Sequence, residues 1–172
     1  MVEFRRNKSC NPDDIFFLVI VTKNRRSWIE DFNCYNFILS QMKRFETIFK
    51  MEFKAWVLLP DHIHCLLKPG KSDYSDIISR VKKRISWNMK KDGLIAHGEQ
   101  LWQARFWEET IRDDDHYAKC LEYIHFNPVK HGMVESPIDW QWSSFHEYVK
   151  NGIYKAEWAS ATDIETLGSG YD

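Results

Sequence analysis

A chain of 172 residues with 44% hydrophobic and 15% aromatic side chains fits one compact domain with a sizeable core, which excludes a disordered or low-complexity protein. The formal net charge of −1 hides an uneven distribution, because residues 1–91 carry 18 Lys and Arg against 10 Asp and Glu while residues 92–172 carry 6 against 15; a basic phosphate-binding face fits this pattern, and so does chance segregation of solvated charge. No apolar run nears the roughly 20 residues of a membrane helix, no cleavable signal pattern opens the chain, and Cys10, Cys34, Cys65 and Cys120 form no C-x-x-C pair, so the expectation is a cytoplasmic protein with no membrane segment and reduced thiols.

Residues 15–22 are β-branched and aromatic without polar interruption, the pattern of a central strand buried on both faces. A polar turn containing Arg25 and Arg26 follows, and then Phe37, Ile38, Met42, Phe45 and Phe49 recur at helical spacing between about 30 and 50. Residues 53–59 and 62–68 are two short apolar runs separated by Pro60-Asp61, which reads as a tightly joined antiparallel pair. A second helix is expected over 74–91, where Ile77, Ile78, Val81, Ile85 and Met89 form one stripe flanked by Arg80, Lys82, Lys83, Arg84, Lys90 and Lys91.

After a loop over 93–100, residues 106–111 read as a fourth strand, and Asp113-Asp114-Asp115 supplies a favourable N-terminus for a third helix. The order β-α-β-β-α-β-α is an α+β, ferredoxin-like sandwich: one antiparallel four-stranded sheet with helices on one face, plus a C-terminal helix carrying Tyr123. Residues 1–155 form the expected domain. Residues 156–172, with four acidic and no basic side chains, form an expected acidic tail able to fold over the basic face and compete with a nucleic acid.

Two local patterns carry chemistry. In Leu59-Pro60-Asp61-His62-Ile63-His64, the strand period of two puts both imidazoles on one side, where they can chelate a divalent ion or simply be partly exposed strand residues. In Leu121-Glu122-Tyr123-Ile124-His125-Phe126-Asn127-Pro128, Tyr123 and Asn127 lie one helical turn apart, so a hydroxyl and an amide can converge. The plain alternatives are that Tyr123 is an interfacial aromatic and that Asn127, pushed out of helical geometry by Pro128, caps a short turn. His125 falls off that face and reads as structural or as a support to the residues of the site.

These two segments, together with Trp102-Gln103-Ala104-Arg105-Phe106-Trp107-Glu108, the continuation Val129-Lys130-His131-Gly132, and Trp142-Ser143-Ser144-Phe145, resemble the IS200-like Y1 transposases of the HUH (histidine–hydrophobe–histidine) superfamily, and within them the REP-associated tyrosine transposases. The resemblance spans residues 4–158. It implies that His62 and His64 are metal ligands with Ile63 between them, that Tyr123 is the nucleophile, and that Asn127 stands where the family often completes the metal site with a polar side chain. The implied ion is Mg²⁺ or Mn²⁺, and the implied reaction is cleavage and rejoining of single-stranded DNA at REP-type hairpins through a 5′-phosphotyrosine intermediate.

DNA contacts are expected from Arg5 and Arg6, from Arg25 and Arg26, and from Arg80, Lys82, Lys83 and Arg84, with aromatic side chains stacking on unpaired bases. A bacterial, nucleoid-associated monomer rather than a dimer is implied. Two other functions compete: a ferredoxin-like module that binds nucleic acid without cutting it, and a water-using metal phosphoesterase, which would need a third strong ligand and a general base that the His pair does not provide.

Overall fold

The computed structural model of the chain describes residues 11–158; Arg5, Arg6, Cys10 and residues 159–172, which make up most of the expected tail, lie outside them. Four strands, β1 (Phe16–Val21), β2 (Glu52–Leu58), β3 (His62–Lys68) and β4 (Trp107–Thr110), form one antiparallel sheet in the order β2-β3-β1-β4. Helices α1 (Phe32–Phe49) and α2 (Tyr74–Lys91) are the crossovers, α3 (Asp114–Lys130) follows β4, and a short α4 (Phe145–Lys150) comes after a 3₁₀ turn at Pro137–Asp139. This is the expected ferredoxin-like α+β arrangement.

Carboxylates set the helix starts. Asp31 accepts from Cys34 N at 2.8 Å, Asp73 from Ser75 N at 2.8 Å, and Asp113 from His116 N at 2.7 Å, each occupying a donor that the first turn leaves unbonded. Asp114 and Asp115 add negative charge at the positive end of α3.

The sheet separates two cores. On one face Leu18, Ile20, Ile63, Cys65 and Leu67 pack against Ile38 and Met42 of α1 and Ile77, Ile78, Val81 and Ile85 of α2. On the other, Phe17, Val19, Ala55, Val57 and Leu66 pack against Cys120, Leu121, Tyr123 and Ile124 of α3. The central position of β1 explains its unbroken apolar run, since both of its faces are covered.

One local expectation is corrected. Asn127 does not leave helical geometry ahead of Pro128; α3 runs through the proline to Lys130 and closes with Gly132 at φ +65° and a Met133 N–H donated to Pro128 O at 2.9 Å. An interior proline costs a helix about 3 kcal/mol. Here the stretch from Tyr123 to Pro128 is buried throughout, and that burial offsets the lost hydrogen bond.

Two substitutions test this architecture. Ile78→Ala, at a side chain 1% exposed between α2 and the sheet, should lower the unfolding free energy in urea by about 2–5 kcal/mol. Gly70→Ala should cost at least about 1 kcal/mol by the same assay, because Gly70 has φ +62° and an added Cβ would sit 2.8 Å from Lys50 O.

Candidate active site

β3 runs between β1 and β2, with His62 opposite Val21 and His64 opposite Val19 and Val57. The pleat sends Ile63, Cys65 and Leu67 to the α1/α2 core and His62, His64 and Leu66 toward α3. Both imidazoles are buried, at 1% and 0% exposure, and their centroids are 4.7 Å apart at an interplanar angle of 87°.

Asp61 Oδ1 lies 2.6 Å from His62 Nδ1. A carboxylate can only accept, so Nδ1 carries the proton and Nε2 presents its lone pair. Burial pushes the Asp61 carboxyl up, but the hydrogen bond from His62 and the nearby Arg25 guanidinium hold it below the ordinary value. Arg25 steadies the same carboxylate from 3.4 Å.

From the other side comes α3. Tyr123 sets its ring edge-on to His64 at 5.3 Å and to Phe17 at 6.0 Å, and His131, at the helix end, approaches the His62 ring at 5.0 Å. Tyr123, Asn127 and His131 are spaced by four residues, so they form one stripe along the helix. Asn127 is therefore bracketed by a residue touching His64 and a residue touching His62. It is fully buried, and its role is not to cap a turn: neither Oδ1 nor Nδ2 has a hydrogen-bond partner among the described residues. His125, as expected, belongs elsewhere: its Nε2 lies 2.9 Å from Ser144 Oγ, and burial drives its pKa down to about 3.

Among the described residues no cluster of three or more His, Cys, Asp or Glu side chains is placed to hold a metal ion. The donor set here is of a different kind, two imidazoles and a buried amide. His62 Nε2 is buried without a hydrogen-bond partner, as is the Asn127 amide, and each such atom costs about 1–3 kcal/mol. A divalent cation with its own water shell could meet these atoms, the amide oxygen suiting a hard ion such as Mg²⁺ or Mn²⁺ and the imidazoles a softer one.

Of the described basic residues expected to meet DNA, Arg25 reaches this site through Asp61 and the others lie elsewhere. Arg25 is engaged with Asp61, and Arg26 pairs with Glu99 at 3.2 Å while standing 4.0 Å over the Trp28 ring. On α2, Arg80 pairs with Asp76 at 2.7 Å and Arg84 stands 5.0 Å over the exposed Trp87. Lys82 donates to Gln103 O at 2.7 Å, with burial pulling its pKa down, whereas Lys83 is exposed. An open groove of about 860 Å³, lined by Lys82, Lys83, Trp87, Lys90 and Trp102, lies along α2. Since α2 and α3 cover opposite faces of the sheet, this groove is not the tyrosine site.

Three side chains at the site carry no role in the sequence reading: Asp61, Lys130 and His131. A carboxylate directly before a histidine was the available signal for the first. The other two lie beyond Pro128, where the helix was expected to have ended; Lys130 Nζ donates to Tyr123 Oη at 3.3 Å.

Comparison with known proteins places this geometry among relatives. Residues 15–127 match the family model described as IS200-like transposase. The REP-associated tyrosine transposase of Escherichia coli K12 is 34% identical, over 90% of this chain and 89% of its own. A Haemophilus influenzae protein assigned to the same group is 35% identical, over 89% and 91%. A solved REP-associated tyrosine transposase bound to a REP hairpin superposes with a TM-score of 0.78 at 31% identity, covering 99% of this chain and 98% of that one.

Asn127→Leu swaps a buried amide for an apolar side chain of similar size. With divalent ions chelated, thermal unfolding should show the variant to be as stable as the parent or more stable by up to about 1 kcal/mol. A fall of several degrees would show that the amide already has a partner in the folded chain.

Proposed function

The chain belongs to the IS200-like transposase family, in its REP-associated tyrosine branch, and on that premise we propose that it cleaves and rejoins single-stranded DNA beside REP-type hairpins through a covalent link to Tyr123. Membership supports a DNA-processing, transposase-like activity in general. The finer reading rests on one observation: the Tyr123 ring meets His64 at 5.3 Å on a buried face that also holds His62 and Asn127, all within a single chain.

In this reading Tyr123 Oη attacks the scissile phosphorus in line. The Oη–P bond forms as the P–O3′ bond breaks; the phenolic proton goes to solvent and the departing 3′ oxygen takes one up. The DNA 5′ end is then held as a phosphotyrosine ester, and because phenolate is a competent leaving group, attack by a 3′-hydroxyl runs the step backwards and rejoins a strand. His62, aimed by Asp61, together with His64 and Asn127 would hold Mg²⁺ or Mn²⁺, which when bound offsets charge on the phosphate during displacement.

The chain's own residues position these parts. Phe17 and Trp107, packed at 5.7 Å, wall the tyrosine side of the sheet and limit water there. Since histidines and tyrosine come from one polypeptide, a monomer has a complete site, which supports action as a monomer. DNA is the proposed partner, with the REP hairpin as the form bound by the solved relative. No described helix is long and apolar enough to cross a membrane. A reaction on REP-type DNA would suit a cytoplasmic protein working at the nucleoid.

Incubation with Mn²⁺ and a labelled REP-type hairpin bearing a single-stranded flank should give a protein–DNA adduct that survives denaturation. Tyr123→Phe should abolish it while leaving hairpin binding intact, and chelation or His64→Ala should reduce it to background. Asp61→Asn should lower the rate roughly 10- to 100-fold, the usual effect of losing a partner that orients a ligand. An adduct that persists in Tyr123→Phe would point to another nucleophile, and hairpin binding without any adduct from the unaltered protein would favour the binding-only module.

A further inference from the structure

Lys130 closes α3 seven residues after Tyr123, two helical turns along the same face. Its Nζ donates to Tyr123 Oη at 3.3 Å and stands 4.8 Å from the Tyr123 ring centroid. A lysine in the last turn has an ordinary alternative, which is to turn toward the free carbonyls at the helix C-terminus and settle in the negative end of its dipole. This one points back along the helix instead, the direction in which side chains lean. It reaches the oxygen of a tyrosine that is 2% exposed. The placement depends on Pro128: had the helix stopped there, Lys130 would not stand two turns above the hydroxyl.

We propose that Lys130 is a further catalytic residue of the tyrosine reaction, its ammonium aiming the Tyr123 oxygen and offsetting the negative charge that oxygen carries in attack and departure. The inference rests on the reading of Tyr123 as nucleophile. Lys130 acts through its charge and its N–H and transfers no proton; the Oη–P bond forms and the P–O3′ bond breaks as described above, with proton exchange left to solvent. A charged donor held on an oxygen in a largely buried setting is worth more than the same contact in water, since less solvent competes for it. A lone Lys on a phosphate would act differently, by strengthening DNA binding and steepening its salt dependence.

The test is single-turnover adduct formation by the full chain with Mn²⁺ and saturating labelled hairpin, alongside hairpin affinity measured across a salt series. Lys130→Met should lower the adduct rate about 100-fold or more and slow the rejoining step alongside it, with hairpin affinity and salt slope unchanged. Lys130→Arg, which keeps the charge, should recover much of the rate. An unchanged rate in Lys130→Met overturns the inference. So does a loss of affinity with a salt slope shallower by about one and a normal rate at saturation, which would make Lys130 a phosphate contact. If Lys130→Met melts too low to assay, Lys130→Gln takes its place. Absence of any adduct from the unaltered protein would instead overturn the premise that Tyr123 is the nucleophile.

Discussion

The register of β3 between β1 and β2 is the constraint on which the site depends. With side chains alternating along the strand, a slip of one residue would carry His62 and His64 into the α1/α2 core and turn Ile63 and Cys65 toward α3. That slip is blocked on both sides: Ile63, Cys65 and Leu67 are held in one apolar core and Leu66 in the other, and six residue pairs tie β1 to β3. The histidines are buried because they share a strand with residues that must be buried. Asp61 then offsets part of the cost for His62 by taking its Nδ1 proton in a hydrogen bond.

Helix α3 supplies the facing half, and its geometry follows from packing more than propensity. A proline at 128 argues locally for a helix end. Yet Ile124, Phe126, Asn127 and Pro128 are all buried, and ending the helix at 127 would forfeit that burial. The consequence is chemical: continuation to residue 130 puts Asn127 between Tyr123 and His131, and sets an ammonium on the tyrosine oxygen. A buried amide without hydrogen bonds is a standing cost to the fold, of the sort found where a site is kept ready for a ligand.

The charge distribution has a more modest meaning than the raw count suggests. Of the basic residues expected at DNA, Arg25, Arg26 and Arg80 are each paired with a carboxylate, and Lys82 is held by a backbone carbonyl. Exposed ion pairs of this kind are weak, about 0–1 kcal/mol each, so a phosphate can compete for Arg26 or Arg80 at little cost. Arg25 is different: releasing it would also loosen Asp61, the residue that aims His62.

Most of the fold was legible without coordinates. The uninterrupted apolar run around β1, the stripe Ile77 to Met89 that became α2, and the His-x-His spacing each follow from periods of two or 3.6 residues, which are local properties of the chain. The motifs around His62, Tyr123 and Asn127 likewise determined the family, because their order and spacing lie in the sequence itself. Only the tertiary structure decided that α3 continues through Pro128, that Asn127 is bracketed at the site rather than capping a turn, and that Asp61 and Lys130 contact His62 and Tyr123. The reason is physical: those outcomes depend on burial against a sheet whose strands are distant in sequence, and no local period or propensity contains that term.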